Sequence, residues 1–343
     1  GCVYFRQVRG GVQMHNCTIV ETNDHGMQIT DCPGTWISQC AHLKNGGSPI
    51  RLFETVGFIW SHSSCLNVAR NTHANFIPLY QETDRAMVYG VKARDNFGYL
   101  TWSEASNIVV AFNDIQVNGV PTDDRAIVEQ NDPPGSGQGG ADGSGAIEAG
   151  TRFYIYNNAT PPDRASEAPN SFTMGTGAIG SIGESYTVLN NILHGLSDVP
   201  EAIDVQGGNI FTGLNGEQQP QNLIASEVFQ AAEDFYVAPY SGDYTPRAHA
   251  IVRDRVGENL ATVIAAVQAL QPSFTHFDKD MEGRSFTAAA PPVGPRSVLP
   301  ENPVEPVYTY APVAMTPNTR FNIMPQIGRA AADGLTLAMR ISR

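Results

Sequence analysis

Apolar residues recur in a short pattern along the first two thirds of the chain. From Gly11 to Ile19, the second, fourth, seventh and ninth places hold apolar or cysteine side chains, and the pattern returns in five later segments. In chain order these places hold Val12, Met14, Cys17, Ile19; Thr35, Ile37, Cys40; Phe58, Trp60, Ser63, Cys65; Ile108, Val110, Asn113, Ile115; Phe153, Ile155, Asn158; and Tyr186, Val188, Asn191, Leu193. Alternation over a few residues predicts short, half-buried strands.

A second series of apolar pairs predicts another strand in each repeat. The pairs are Met27/Ile29, Ile50/Leu52, Ile77/Leu79, Leu100/Trp102 and Ile147/Ala149, and the last step covers two repeats. Gly, Asn and Asp bound these segments, as they bound short strands. Strands that recur once per repeat, with turns between them, describe a solenoid.

The remainder of the chain predicts three regions. The solenoid is expected over residues 1–222, and C-terminal rungs with a cap over its open end are expected over 223–295. Helical spacing appears once and predicts a helix near 258–271, ended before Pro272. Residues 296–343 are expected to form a Pro-rich extended tail that packs along the solenoid or against a neighbouring subunit.

The strand pattern resembles the rungs of the right-handed parallel β-helix in the pectin-lyase-like superfamily. The segments at residues 12–19 and 188–193 look like such rungs, and residues 277–284 with 292–294 resemble a closing motif of bacterial β-helix proteins. The seventh-place series resembles a stacked interior ladder and consists of Cys17, Cys40, Ser63, Asn113, Asn158 and Asn191. The resemblance implies an all-β, right-handed parallel β-helix with about 23 residues per rung, a C-terminal cap with one short helix, and an extended tail. It implies a fold and not an activity.

The five cysteines all lie between Cys2 and Cys65. Cys17 and Cys40 hold equivalent places one repeat apart, so they are expected to stack about 5 Å from each other. Buried thiols and a disulfide between neighbouring rungs are both compatible with this spacing. The sequence has no Cys-x-x-Cys pair, which argues against a metal site built on cysteine.

Composition and charge exclude two classes of partner. The net charge is -13 and no basic stripe is present, so a nucleic-acid partner is not expected. No apolar run approaches the length needed to cross a bilayer, so no membrane span is expected, and no signal peptide is visible. The negative charge also argues against a polyanionic substrate, unless Ca²⁺ or a local cluster of Arg and Lys offsets it.

Two sets of residues are candidates for catalysis. Glu54, Glu82 and Glu104 follow successive strands and could supply the two carboxylates of a glycoside hydrolase. Lys92 and Arg94 point outward from a strand and could serve a polysaccharide lyase, with a base and a cation beside the substrate carboxylate. Solvated turn residues are the alternative for both sets. The sequence lacks the Arg-x-x-Pro-x-x-Arg lyase motif, the Asp-Pro-His-Asp epimerase motif and the polygalacturonase aspartate set.

Outward residues on the second series of strands are candidates for sugar binding. Alternation places Arg51, Phe53, Tyr80 and Glu148 outward, and aromatic side chains on neighbouring strands can stack on sugar rings. The insertion from 117 to 145 is a candidate Ca²⁺ loop, and its ligands would be Asp123, Asp124 and Asp142. An acidic loop without metal is the alternative.

By analogy with the superfamily that it resembles, and from the candidate residues above, we expect a carbohydrate-active protein that binds and cleaves an extracellular polysaccharide, as a lyase or a glycosidase. The alternative is a non-catalytic glycan-binding or structural β-helix, such as a virion tail-spike, a fibre or an adhesin. That alternative predicts a homotrimer, whereas a secreted enzyme predicts a monomer. Either protein is expected outside the cell, at the cell surface or on a virion.

Overall fold

A computed structural model gives the fold of the chain. The structure describes residues 2–68, 76–80, 82–96, 100–102, 105–117, 128–130, 152–160, 172–174, 185–193, 203–212, 228–229, 231–239, 243–247, 250, 252, 255–297 and 339–340. Within these ranges the fold is all-β with two short helices, and most strand pairs are parallel.

Seven strands form sheet A, and each pairing in it is parallel. Their order is β1 (Val3–Arg6), β4 (Met27–Thr30), β7 (Ile50–Phe53), β10 (Ile77–Tyr80), β13 (Leu100–Trp102), β16 (Val128–Gln130) and β18 (Phe172–Met174). Parallel neighbours need a crossover between them, and strands of two further sheets provide it.

Sheet B continues each repeat after sheet A. Its parallel strands are β2 (Gln13–His15), β5 (Trp36–Ser38), β8 (Ile59–Ser61), β11 (Met87–Tyr89), β14 (Ile108–Ala111), β17 (Arg152–Tyr156), β19 (Ser185–Leu189) and β21 (Ile203–Gly207). A strand from the tail, β26 (Met339–Arg340), pairs antiparallel with β2 at the edge of the sheet. The tail was expected along the solenoid or against another subunit, and this short pairing favours the first alternative.

Sheet C completes each repeat. It consists of β3 (Thr18–Val20), β6 (Ala41–Leu43), β9 (Ser64–Val68), β12 (Lys92–Asn96) and β15 (Asp114–Val117). Parallel bridges through Ala159 extend it towards β20 (Ile192–Leu193), β22 (Ile210–Phe211) and β23 (Val228–Phe229). The other elements are α1 (Ala232–Phe235), an antiparallel pair of β24 (Tyr236–Ala238) and β25 (Asp243–Pro246), and α2 (Ala261–Leu270).

The register of the sheets shows that the repeat length varies along the chain. Thr18 pairs with Ala41 and Ala41 with Ser64 in two equal steps, whereas the next step, from Ser64 to Lys92, is longer. Near the C-terminal end the step shortens, because Ile192 pairs with Ile210. The chain therefore runs through three stacked parallel sheets in a solenoid-like arrangement that is compatible with a parallel β-helix.

Inward residues of all three sheets form one apolar core. The second series was predicted correctly in its first three pairs, which are fully buried: Met27, Ile29, Ile50, Leu52, Ile77 and Leu79. Trp60 is buried in sheet B, as predicted, and packs against Phe76 with ring centroids 5.4 Å apart. Full burial of such side chains contributes about 1.5–3 kcal/mol each.

At the bend between sheets B and C, one residue in each described repeat has a left-handed backbone conformation. These residues are Asn16, Gln39, His62, Gly90, Phe112, Asn157, Asn190 and Gly208, with φ between 46° and 68°. Asn and Gly tolerate this conformation, whereas it strains a bulky side chain such as Phe112. The bend places the following residue inside the solenoid, where the seventh-place ladder lies.

The predicted interior ladder is present and its asparagines are hydrogen-bonded in series. Asn113, Asn158 and Asn191 each donate through Nδ2 to Oδ1 of the next asparagine at 3.0 Å, and Asn209 ends the run. Each receiving Oδ1 also accepts the backbone N–H of the preceding asparagine. The buried amides are therefore satisfied along the stack. Val91 interrupts the polar series between Ser63 and Asn113.

No disulfide joins any of the five cysteines, all of which are described, and Cys17 and Cys40 lie at equivalent bends, directly before the neighbouring strands β3 and β6. The segment 117–145 was expected to be one insertion, but it contains strand β16, which pairs with β13. A single apolar residue, Val128, marked that strand in the sequence. No helix in the described ranges is long and apolar enough to cross a membrane.

Residues 255–297, called here the C-terminal segment, pack on the outer face of sheet B. Helix α2 and the loop after it bury Val263, Val267, Phe274, Phe277 and Met281 against that sheet. The sheet contributes an apolar surface of Ile59, Met87, Tyr89, Val109, Ala111, Tyr154 and Tyr156. The segment had been expected to cover the open end of the solenoid, but these contacts run along its flank. The boundaries at 222 and 295 stay predictions.

Candidate functional site

The outer face of sheet A carries an arginine–aromatic cluster, formed by Arg51, Phe53 and Tyr80. Strand β7 has alternating burial, so these side chains stand on the side opposite the core. Phe53 and Tyr80 are register partners, and their ring centroids lie 5.7 Å apart at an interplanar angle of 49°. The Arg51 guanidinium lies 4.7 Å from the Phe53 centroid and 5.8 Å from that of Tyr80. The structure thus brings together three of the four predicted sugar-binding residues.

His25 and Asp24 border this cluster. The backbone N–H of Ser48 donates to Nδ1 of His25 at 3.0 Å, so the neutral ring carries its proton on Nε2. Nε2 lies 3.2 Å from Arg51 and 3.5 Å from an Asp24 carboxylate oxygen. Burial and Arg51 lower the pKa of His25, against the opposing effect of Asp24. Because Ser48 engages the Nδ1 lone pair and Nε2 carries the proton, the neutral His25 ring presents no acceptor to Arg51, and the two side chains are neighbours without a hydrogen bond between them.

Two predicted catalytic carboxylates lie at the turn that follows sheet A. Val56 bridges to Asp84, so Glu54 and Glu82 hold equivalent places on neighbouring repeats, about 4.8 Å apart along the stack. Both have left-handed backbones, with φ of 49° and 56°, and both are exposed. Exposure deprives both of the apolar setting that distinguishes a general acid from its partner carboxylate. Their catalytic role stays a prediction.

Arg94 belongs to a partly buried ion network on the outer side of sheet C. Its guanidinium binds Asp114 in a bidentate manner, at 2.8 Å and 2.7 Å. Arg296 also donates to Asp114 at 2.9 Å, and its Nε lies 3.2 Å from Glu282. Arg284 pairs with Glu282 at 2.5 Å. These five residues, called the ion network below, tie the C-terminal segment to sheet C.

The charges of the ion network shift the pKa of its members. Burial alone would raise the pKa of Asp114, but Arg94, Arg296 and Lys92 together lower it to about 2. Burial acts to lower the pKa of Arg94, but Asp114 outweighs it and the net shift is upward. Asp114 is therefore a permanent anion that holds Arg94 in place.

The predicted catalytic residues fall on two different flanks. Glu54 and Glu82 border sheet A, whereas Lys92 and Arg94 lie on strand β12 of sheet C. Arg94 already has a bidentate partner, and Lys92 lies beside the same carboxylate, since it is the register partner of Asp114. Of the two sets, the structure places only the glutamates beside the arginine–aromatic cluster.

Several predicted residues cannot be placed. Glu104, Glu148, Asp123, Asp124 and Asp142 lie outside the described residues. Their roles in catalysis, sugar binding and Ca²⁺ binding stay predictions. Across the described ranges, no group of three or more His, Cys, Asp or Glu side chains is arranged to hold a metal ion.

Sequence reasoning missed the residues that hold Arg94. Asp114 is a charged residue at the start of a strand whose neighbours are buried, and that contrast was a usable signal. Two further residues have no periodic pattern around them: Tyr244, whose ring centroid lies 5.1 Å from the Arg94 guanidinium, and Arg296, which binds Asp114 from 182 residues away in the chain. No family model matches the chain, and no curated protein matches it.

Proposed function

We propose that the protein is a right-handed parallel β-helix that binds an extracellular polysaccharide on the outer face of sheet A. Its rungs hold about 23 residues, the separation of the hydrogen-bonded pair Val12 and Thr35. The arginine–aromatic cluster is the observation that carries this proposal. Partly exposed aromatic rings offer apolar faces to sugar rings, and a fixed guanidinium offers hydrogen-bond donors to hydroxyl groups. Gln28, the register partner of Arg51, adds a polar group on the same face.

The charges around the cluster favour a neutral glycan. Asp24, Glu54 and Glu82 are exposed beside it, and the whole chain carries a net charge of -13. A polyanion would meet repulsion from these carboxylates, whereas a neutral sugar can use them as hydrogen-bond acceptors. Arg51 is the cation within the cluster and Arg6 lies on the same face two strands away, so the three carboxylates outnumber these two cations.

This surface is compatible with a protein that only binds a polysaccharide and with one that binds and cleaves it. Glu54 and Glu82 support a glycoside hydrolase, because equivalent carboxylates about 5 Å apart suit the retaining geometry. Lys92 supports a lyase less well, since it lies on another flank beside Asp114. A non-catalytic tail-spike, fibre or adhesin, assembled as a trimer, needs only the binding surface. A role for Ca²⁺ depends on the predicted ligands Asp123, Asp124 and Asp142, which lie outside the described residues.

A polysaccharide binding panel with matched variants tests the proposal. Wild type is compared with Phe53→Ala and Tyr80→Ala by affinity electrophoresis against neutral and acidic polysaccharides. The control is Leu66→Ala, which removes an exposed apolar side chain from sheet C instead of sheet A. We expect at least tenfold weaker binding in both aromatic variants and unchanged binding in the control. Equal binding by all four proteins would refute a site on sheet A.

Product analysis then separates cleavage from binding. The same polysaccharides are incubated with the protein, with and without Ca²⁺, and read for new reducing ends and for unsaturated products by ultraviolet absorbance. Reducing ends that disappear in Glu54→Gln or Glu82→Gln identify a hydrolase. Unsaturated products that disappear in Lys92→Ala identify a lyase. Binding with neither product identifies a non-catalytic glycan-binding protein.

A further inference from the structure

Two cysteine side chains meet inside the solenoid, at the bend between sheets B and C. Cys17 and Cys40 hold equivalent places in neighbouring repeats and are 1% and 0% exposed. The backbone N–H of Ala41 donates to the Cys17 carbonyl oxygen at 2.8 Å, which holds the two bends in register. Parallel neighbours lie about 4.8 Å apart, and a disulfide bond needs a separation of about 4.4–6.8 Å between its Cα atoms. The backbone at this bend therefore suits a disulfide bond.

The two thiol groups lie beside each other. Sγ of Cys40 lies 3.3 Å from the carbonyl oxygen of Ser38 in its own repeat and 3.8 Å from that of Met14 in the repeat of Cys17. The Cys40 side chain therefore extends towards the neighbouring repeat. A hydrogen bond between the two thiols and their burial raise the pKa of Cys40. The sulfur atoms are thus hydrogen-bonded partners in the reduced protein.

The other three cysteines lack such a neighbour. Cys65 has His42 as its register partner on β6 and an alanine on β12. Thr55 holds the place of Cys32 in the next repeat, because each side chain donates to the carbonyl oxygen two residues earlier. Cys2 is exposed. Among the five cysteines, all of which are described, the fold brings one pair to equivalent places.

We propose that Cys17 and Cys40 form a disulfide bond when the chain folds in the presence of a small disulfide oxidant such as glutathione disulfide, and that this bond ties two neighbouring repeats together. The thiolate of one cysteine attacks the oxidant, whose S–S bond breaks and releases one glutathione. The thiolate of the other cysteine displaces the second glutathione, and the S–S bond of the protein forms. Two protein thiols are oxidised, one glutathione disulfide is reduced to two thiols, and the two protons pass to those thiols.

Folding is the stage at which this exchange takes place. In the folded protein both thiols are buried, and the raised pKa of Cys40 keeps the reactive thiolate scarce. In the unfolded chain the thiols are accessible, but loop closure there favours cysteines that are close in sequence, such as Cys32 and Cys40. A bond between Cys17 and Cys40 is therefore a pairing that the fold favours and the unfolded chain does not.

Refolding in a glutathione redox buffer tests the proposal. Wild type, Cys17→Ser and Cys32→Ser are refolded from urea in a mixture of reduced and oxidised glutathione, and a further wild-type sample stays in urea with the same mixture. Cys32→Ser is the matched control, because it also removes a buried cysteine. Cys17→Ser is expected to fold, since Ser63 is buried at the same place of the interior ladder. Cys40→Ser is a second variant of the pair.

Mass spectrometry identifies the bonds. The remaining thiols are alkylated, and the unreduced protein is digested at acidic and aromatic residues. Cleavage after Glu21 and Trp36 separates the three cysteines that have to be distinguished, which are Cys17, Cys32 and Cys40. Urea unfolding of the oxidised and the reduced forms then measures whether the bond ties the two repeats together.

We expect the bond between Cys17 and Cys40 to be the main one in refolded wild type and in Cys32→Ser, whereas wild type in urea should contain more of the bond between Cys32 and Cys40. Oxidation should raise the urea midpoint of wild type by about 1 M, because the bond restricts the unfolded chain, and should leave that of Cys17→Ser unchanged. Absence of the bond from refolded wild type, the same set of bonds in the folded and unfolded chains, an unchanged midpoint in oxidised wild type, or an equal rise in Cys17→Ser overturns the proposal.

Discussion

Sheets A and B belong to the same stacked body, but their outer faces differ in what covers them. On sheet B, the C-terminal segment lies over the outward residues, and strands such as β14 are buried on both sides. On sheet A, strands β4 and β7 alternate between buried and partly exposed residues, and the outward side holds the arginine–aromatic cluster. One flank is therefore an interior interface and the other is a surface available to a ligand.

The difference follows from the side chains that each face presents. A strand covered on both sides reads as a continuous apolar run, as in Ile108–Ala111, whereas a strand with one solvated side alternates, as in Ile50–Phe53. An apolar outer face the size of sheet B would be a liability in water, and the chain covers it with its own segment. The outer face of sheet A needs no such cover.

Close backbone contacts fix the C-terminal segment on its flank. Gln271 donates to the carbonyl oxygens of Phe58 and Arg85 at the end of helix α2. Gly294 has φ of 80° and its N–H donates to Asn190 at 2.7 Å, and a Cβ there would clash with the Ile192 side chain. The segment therefore fits the flank closely enough that only glycine is accepted at this point.

The largest expected effect comes from a matched pair of phenylalanines. Phe274 is fully buried between the C-terminal segment and sheet B, whereas Phe53 is partly exposed on sheet A. Phe274→Ala should lower the free energy of unfolding by about 4 kcal/mol, because it leaves a cavity, and Phe53→Ala by less than about 1 kcal/mol. Urea unfolding at neutral pH measures both. Similar losses in the two variants would mean that the two flanks are not differently covered.

The next effect tests whether the ion network holds the segment in place. Asp114→Ala leaves the guanidinium groups of Arg94 and Arg296 partly buried without their shared carboxylate, and should cost about 3 kcal/mol. The control is Asp24→Ala, which removes an exposed carboxylate beside sheet A and should cost less than about 0.5 kcal/mol. Urea midpoints compare the two. A small loss in Asp114→Ala would show that apolar packing alone secures the segment.

Acid should lower the stability of the protein by protonating His62, which lies between sheet B and the C-terminal segment. This residue lies against Phe274 and Tyr89, and its pKa is lowered to about 4 by burial and by His276, against the opposing effect of Asp280. Because the folded state favours the neutral ring, this contribution to stability is complete above about pH 6.5. It is lost as the pH falls from there towards 4. The loss should be about 2 kcal/mol, allowing for the partial exposure of the ring.

The variant His62→Asn isolates this contribution, because asparagine accepts the left-handed backbone at this position, where φ is 46°. His42, whose pKa burial lowers to about 3, remains in both proteins and cancels in the comparison. Urea midpoints, followed from neutral pH down to the pKa of His62, should fall less steeply in the variant than in wild type. Parallel curves would assign the acid sensitivity to other groups.

The sequence predicted the features that rest on alternation within a single short segment. The alternation in sheet A and the asparagines of the ladder follow from such local patterns, and they brought Phe53 and Tyr80 together correctly. Asn209 and the repeat at Val91 were missed, although both positions lie in short segments of the same kind. Successive ladder asparagines are 45, 33 and 18 residues apart, so no fixed period finds all the repeats.

Contacts between distant segments could not be predicted from the sequence in the same way. The helix near 258–271 was visible, and it is present as α2, but its position depends on which face of the solenoid is apolar. The continuous apolar run in β14 indicates a strand that is buried on both sides, and the prediction of an end cap did not take it into account. The Asp114–Arg296 contact, which adds a second arginine to the carboxylate that binds Arg94, spans 182 residues, and no local pattern marks it.

The smallest expected effect is the coupling between Arg51 and Phe53 on the exposed outer face of sheet A. A double-mutant cycle of Arg51→Ala and Phe53→Ala should give a coupling energy of about 0.5–1 kcal/mol, the usual value of an exposed cation–π contact. Arg51→Lys should lose most of this coupling, since an ammonium group cannot stack as a planar guanidinium does.

Urea unfolding of the four proteins at neutral pH measures the cycle, and a second cycle with Leu66→Ala in place of Phe53→Ala should give no coupling, because Leu66 lies on sheet C. A measurable coupling means that Arg51 and the rings hold each other in place before a ligand arrives, so less side-chain entropy is lost on binding. A coupling of zero in the first cycle would mean that the Arg51 guanidinium is not held against the Phe53 ring. Sheet A would then present mobile side chains instead of a preformed binding surface.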